Sequence, residues 1–129
     1  MNGKYLLDTN IVIALFSNET AVKERLAEAE EVFLPSIVLE ELYFGARKSG
    51  RIQQNLSRID EFASQNVILS CDMETAPHYG VIKDLLRVKG RPVPENDIWI
   101  AAIATQYKLS LVTRDVHFNQ IASLQVAGW

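Results

Sequence analysis

Four acidic residues stand at the ends of short apolar runs or just beyond them: Asp8 in Leu6-Leu7-Asp8-Thr9-Asn10, Glu41 in Glu40-Glu41-Leu42, Asp97 in Asn96-Asp97-Ile98 and Asp115 in Thr113-Arg114-Asp115. Two carboxylates held ~4 Å apart repel by about 4 kcal/mol at an effective dielectric of ~20, so a fold that gathers these acids needs a cation or bound protons among them. An all-oxygen donor set suits magnesium, with manganese as the second choice. Beside a phosphodiester, such a cation lowers the pKa of a water, aligns it for in-line attack and offsets charge on the phosphate. Cleavage by such a water needs no hydroxyl of the substrate as nucleophile.

Each acid alone also has a structural reading. Asp97 can favour a helix N-terminus through the dipole, Asp115 can cap the segment 116–121, and Glu41 can be a solvated charge. The neighbours tilt the balance. A helical stripe from Asp97 runs through Ile100, Ala101 and Ala104, and a surface acid has little reason to head an apolar, close-packing stripe. From Glu41 the same count gives Ile37, Val38, Phe44 and Gly45, whereas Glu40 shares its face with Ser36, Tyr43 and Arg47, which favours Glu41 as the ligand.

The elements that must position these acids follow from hydrophobic spacing. Apolar runs at 5–7, 32–34, 67–69 and 111–112, with a weaker one at 124–126, read as buried strands. Between them the spacing is helical: Val22, Leu26 and Ala29; Ile37, Leu42 and Phe44; Ile52, Leu56, Ile59 and Phe62; Val81, Ile82, Leu85 and Leu86; Ile100, Ala101 and Ala104. Strand and helix alternate, which predicts an α/β fold with a parallel sheet covered on both faces. Ligands of such sheets bind beyond the carboxyl ends of the strands. Asp8 and Asp115 lie at that edge, Glu41 falls about one turn into a helix, and Asp97 follows the proline loop 89–96, so the four can meet.

At 129 residues and 48% hydrophobic, the chain has the core material of one domain, expected to span 1–129. A net charge of −3 hides an uneven distribution. Basic residues gather at Arg47, Lys48, Arg51 and Arg58 and again at Lys83, Arg87, Lys89 and Arg91, two patches that can meet an anionic polymer or be solvated helix faces. The apolar run at 11–16 is too short for a signal-peptide core or a membrane span, so a cytoplasmic protein with no membrane contact is expected. If helical, that run is apolar around its whole circumference, which calls for a further cover besides the sheet. Cys71 is the only cysteine, which removes disulfide frameworks and thiolate metal sites. His78 and His117 are the only imidazoles and read as ordinary surface or half-buried residues rather than a catalytic acid–base pair or a zinc site.

The ordered segments Leu6-Leu7-Asp8-Thr9-Asn10-Ile11, Ser36-Ile37-Val38-Leu39-Glu40-Glu41-Leu42-Tyr43-Phe44-Gly45, Pro94-Glu95-Asn96-Asp97-Ile98-Trp99-Ile100-Ala101-Ala102 and Val112-Thr113-Arg114-Asp115-Val116-His117-Phe118 resemble those of PIN-domain ribonucleases of the VapC toxin type. The resemblance implies a three-layer α/β/α sandwich and a magnesium-dependent endoribonuclease that is the toxin of a toxin–antitoxin pair. It makes Asp8, Glu41, Asp97 and Asp115 the acidic site, with Asp8 and Asp97 the principal metal ligands. Some members place the last acid within the segment that here reads Val116-His117-Phe118-Asn119, where this chain has no carboxylate. Asn10 and Thr113 match polar positions beside the site, where they can orient a carboxylate or a water, or serve as a turn residue and a strand end. Transfer or ribosomal RNA is the implied substrate. A second copy of the chain and an antitoxin segment lying in a groove are the implied covers for 11–16. Two other classes fit parts of the pattern: a phosphatase or phosphotransferase with Asp8 as nucleophile, although no second acid sits close to Asp8 in sequence, and a non-catalytic module with a structural cation.

Overall fold

Branched and aromatic residues flanked by polar ones form five short strands: β1 (Lys4–Leu7), β2 (Glu31–Pro35), β3 (Val67–Leu69), β4 (Ser110–Val112) and β5 (Val126–Ala127). The structure, a computed structural model, describes residues 3–129. The expected domain bounds begin at residue 1, which lies outside the described residues. All strand pairs are parallel and the order across the sheet is β3-β2-β1-β4-β5. Six helices flank it: α1 (Thr9–Phe16), α2 (Thr20–Glu28), α3 (Ser36–Arg47), α4 (Ile52–Ser64), α5 (Thr75–Lys89) and α6 (Glu95–Tyr107). This is the expected α/β/α sandwich. No helix among the described residues is long and apolar enough to cross a membrane.

The chain runs outward from β1 in both directions, through β2 and β3 on one side and later through β4 and β5 on the other. The strand order therefore reverses between β1 and β4, and a crevice opens at their carboxyl ends. The last strand lies later than the expected 124–126. Leu124 N–H is taken up in a turn to the Ile121 carbonyl, and the β4 ladder instead uses the carbonyls of Gln125 and Ala127.

Leu6, Leu7, Leu34, Leu111 and Val112 are buried in the sheet, and α6 lies against it with Ile98, Ile100, Ala101, Ala102, Ile103 and Ala104 all buried. Its alanines leave no side chain large enough to hold neighbours away, so a helix apolar on nearly every face becomes the central one. Gly90, at φ 66°, closes α5, with Arg91 N–H returning to the Leu86 carbonyl; Pro92 and Pro94 then lead into α6.

Two sequence expectations change. In α1, Ile11, Val12 and Ala14 are buried by the chain itself and Phe16 meets Phe62 edge-on at 5.4 Å, leaving chiefly Ile13, 53% exposed. The helix needs less additional cover than its composition suggests, because α2 and α3 pack beside it as well as the sheet. In α3, Ile37 and Val38 are buried but Phe44 is 64% exposed, on the open side of a shallow groove that it lines with Tyr43, Arg47, Leu56 and Asp60.

Candidate active site

Asp8 is the residue on which β1 ends and α1 begins. Its backbone N–H still donates to the Val112 carbonyl of β4 at 3.0 Å, and its side chain caps α1 by accepting from Thr9 N–H at 2.8 Å. The carboxylate is buried, and its second oxygen, Oδ2, accepts from Thr113 Oγ1 at 2.7 Å and from Asn10 Nδ2 at 3.3 Å. Thr113 Oγ1 in turn accepts from the Asp115 N–H at 3.0 Å, while Asn10 Oδ1 accepts from the Arg114 N–H at 3.2 Å. The end of β4 is thereby tied to the end of β1. Asn10 and Thr113, expected as auxiliary residues, hold both Asp8 and the backbone that carries Asp115.

Glu41 reaches the same rim from the second turn of α3, where its Oε1 accepts from Thr9 Oγ1 at 2.7 Å. Glu40 is exposed on the other side of the helix. Asp97 sits in the first turn of α6, its side chain 13% exposed, heading the buried Ile100, Ala101 and Ala104. Asp115 caps a short 3₁₀ turn, Val116–Gln120, accepting from His117 N–H at 2.9 Å. Asp115 thus caps this turn, as one reading of the sequence has it, and also lies close to Asp97.

The electrostatics mark these groups as one site. Asp97 is pushed up to about 7, first by loss of solvent and then by the charges of Asp115, Asp8 and Glu41. Asp8 is also raised, chiefly by burial, against the lowering effect of its bonds from Thr113 and Thr9. Carboxyl groups raised in this way favour a bound proton or a nearby cation.

The PIN domain family profile matches residues 5–124. The chain belongs to the PIN-domain family. Within it the chain is of the VapC type: it is 36% identical to ribonuclease VapC2 of Haemophilus influenzae over 98% of both chains, and 36% identical to the tRNA(fMet)-specific endonuclease VapC of Shigella flexneri over the same shares. Its fold superposes with a TM-score of 0.90 on a crystal structure of VapBC2 from Rickettsia felis bound to a DNA fragment from their promoter, at 31% identity over 98% of both chains. It matches the DNA-bound VapBC of Salmonella typhimurium equally well, with a TM-score of 0.90 and 32% identity over 98% of both chains.

In this PIN domain the structure also brings in a residue that the sequence reading set aside. His117 Nδ1 lies 2.9 Å from Asp115 Oδ1 and 4.0 Å from Asp97 Oδ2. The one signal in the sequence was its place two residues past the capping Asp115, which accepts the His117 N–H. The basic residues stand outside this rim and are unequal. Arg87 is bound to Asp84 at 2.6 Å, Lys89 donates to the Gln120 carbonyl at 3.0 Å, and Lys48 lies 4.4 Å over the Phe44 ring. Arg47 and Arg91 are exposed, with no polar partner among the described residues.

Proposed function

We propose that this protein is a magnesium-dependent endoribonuclease, the toxin of a toxin–antitoxin pair, which hydrolyses RNA to leave 5′-phosphate and 3′-hydroxyl ends. The observation that carries the reading is the delivery of Asp8, Glu41, Asp97 and Asp115 from four separate segments to one rim of the sheet, where Asp97 feels the other three. The names of the relatives agree, and those called tRNA(fMet)-specific make transfer RNA the favoured substrate over ribosomal RNA.

The donors fit a hard divalent cation: they are chiefly carboxylate oxygens, and one ligand atom each from Asp97, Asp115 and His117 already lie within 4.8 Å of one another. Asp8 and Asp97 would be its principal holders, with Glu41 and Asp115 beside them. When bound, the cation supplies Lewis-acid activation of a water and charge relief at the phosphate. The chain's own residues do the positioning. Thr113 and Asn10 fix Asp8, and Thr9 fixes Glu41. A phosphate-accepting Asp8 fits poorly, because an in-line nucleophile needs an open approach to the phosphorus and the Asp8 residue is 5% exposed.

Cleavage with magnesium, stopped by EDTA and giving 5′-phosphate ends on mass analysis, is the expected result. Cyclic 2′,3′-phosphate ends would overturn the water mechanism, and turnover of a small phosphate monoester without RNA cleavage would favour the phosphatase reading.

The basic residues Arg47, Lys48, Arg87, Lys89 and Arg91 are proposed to contact the RNA backbone on either side of the site. Each lost phosphate contact should flatten the salt dependence of binding by about one unit of slope, alike for all sequences. Arg91→Ala, in an Asp8→Asn background where RNA binds uncut, should cost more affinity than Arg87→Ala, because Arg87 is already engaged by Asp84. If an Arg87, Lys89 and Arg91 triple alanine variant matches its parent in affinity and slope across a salt series, the RNA path lies elsewhere.

Two protein partners complete the proposal. A groove of about 340 Å³ lined by Ile13, Phe16, Leu42, Ala46 and Ile59 opens at Thr9 and Glu41, and suits an antitoxin segment whose arginine can approach the acids. On α5, Val81, Leu85 and Val88 form an exposed apolar stripe at i, i+4 and i+7 that suits a second copy of the chain. Light scattering of the protein alone tests the dimer; a monomeric mass at micromolar concentration would remove it.

A further inference from the structure

We infer that His117 is itself a ligand to the cation, and that its nitrogen donor makes the site bind manganese much more tightly than magnesium. The inference rests on the proposed metal site and deepens it.

The placement of His117 follows from local structure. Asp115 accepts from the His117 N–H at 2.9 Å, which curls the chain into the 3₁₀ turn, and the buried Phe118 that follows anchors that turn in the core. The curl returns the imidazole over Asp115, with Nδ1 2.9 Å from Asp115 Oδ1 and 4.0 Å from Asp97 Oδ2. In an octahedral shell with ligands at about 2.1 Å, neighbouring donors are ~3 Å apart and opposite ones ~4.2 Å apart. Both distances fall in that span, and one donor atom from each of the three groups lies within 4.8 Å of the others, so the three can face a single ion.

The chemistry of the donors then decides the metal. Carboxylates alone serve magnesium, whereas an imidazole in the set favours first-row transition ions, for which affinity rises along the series from manganese onward. Coordination through Nδ1 leaves the ring proton on Nε2. The imidazole is half exposed, so that N–H can be satisfied by solvent without cost to the core. No other imidazole competes for the role: the only other histidine, His78, lies on α5 and is not among the residues grouped with these acids.

The test uses the full chain, free of any histidine tag, with manganese alone as the probe. Pulsed electron paramagnetic resonance of the bound ion should show coupling to one imidazole nitrogen. That coupling should vanish in His117→Gln and persist in His78→Gln. In the same titrations His117→Gln should weaken manganese binding by at least ~10-fold, while magnesium affinity, measured by competition, changes by less than ~3-fold. His117→Asp should lack the nitrogen signal and narrow the gap between the two metals, which separates lost ligation from a damaged fold. If manganese binds and is displaced by Asp97→Asn, yet no nitrogen coupling is seen in the parent, His117 is not a ligand and the nuclease reading stands. If manganese binding is absent or indifferent to Asp97→Asn, both the inference and the metal site are overturned.

Discussion

Replacing Asp97 with asparagine is expected to abolish cleavage while raising the thermal midpoint of the metal-free protein. The first effect follows from removing a charged ligand at the head of α6, and a loss of at least ~100-fold is the expectation, since even groups one shell further out cost 10–100-fold. The second follows from the sign of the pKa shift. Asp97 is raised in the folded chain from 3.8 to about 7, so between those values the folded state holds more protons than the unfolded one. Stability contributed by the protonated carboxyl is therefore lost as pH rises through that window. Asparagine removes the penalty. With solvent screening at this partly open rim allowed for, the gain at pH 8 is on the order of 1–2 kcal/mol, or several degrees in a chain of this size, and it should fade toward pH 4. Calorimetry in EDTA at the two pH values measures it. A variant that cleaves RNA like its parent, or that is less stable at pH 8 than at pH 4 relative to that parent, would sink the assignment of Asp97. Asp8→Asn should likewise stop cleavage, whereas Asp115→Asn should hurt less.

Thr113→Val tests the scaffold rather than the ligands. The two side chains have nearly the same shape, but Thr113 Oγ1 makes three contacts that valine cannot: to Asp8 Oδ2, from Asn10 Nδ2 and from the Asp115 N–H. Leaving a buried carboxylate short of a donor costs about 1–3 kcal/mol, a fall of roughly 3–15 °C. The bond from Thr113 is the largest influence lowering the Asp8 pKa, so its loss should raise that pKa further. The destabilisation should then be greater at pH 8, where Asp8 must carry its charge, than at pH 5. The acid limb of the pH–rate profile should move toward higher pH for the same reason, and Thr113→Ser should restore the parent in both respects. Unchanged stability and an unchanged profile would mean that the Asp8–Thr113 bond is incidental to the site.

Much of this was legible in the sequence. The runs Leu6-Leu7 and Leu111-Val112 are completely buried and end at Asp8 and Thr113, because a strand covered on both faces is apolar through its middle and carries its polar residues where it enters or leaves the sheet. The stripe from Asp97 through Ile100, Ala101 and Ala104 was equally clear, since all three are buried and a helix keeps its period over about two turns. The stripe from Glu41 was legible only in part: Ile37 and Val38 face the core, but Phe44 does not, because helical spacing says which residues share a face and not how far the neighbouring helix extends over it.

By itself, then, the sequence determined the alternation of strand and helix and the parallel sheet, and it singled out four acids as candidates. Periodicity and burial are properties of each segment alone, and they need no knowledge of the others. Only the tertiary structure decided which groups answer one another. The pairing of β4 with β1 brings Thr113 to Asp8 across 105 residues, and the pairing of β1 with β2 on its other side lets Thr9 reach Glu41 across 32. Folding also engaged the cations unequally, tying Arg87 to Asp84 and leaving Arg91 exposed, and it set the exposed His117 beside Asp97 and Asp115. Hydrogen bonds and charge–charge forces act over a few ångströms in space. Separation along the chain says nothing about them until the strands have been ordered.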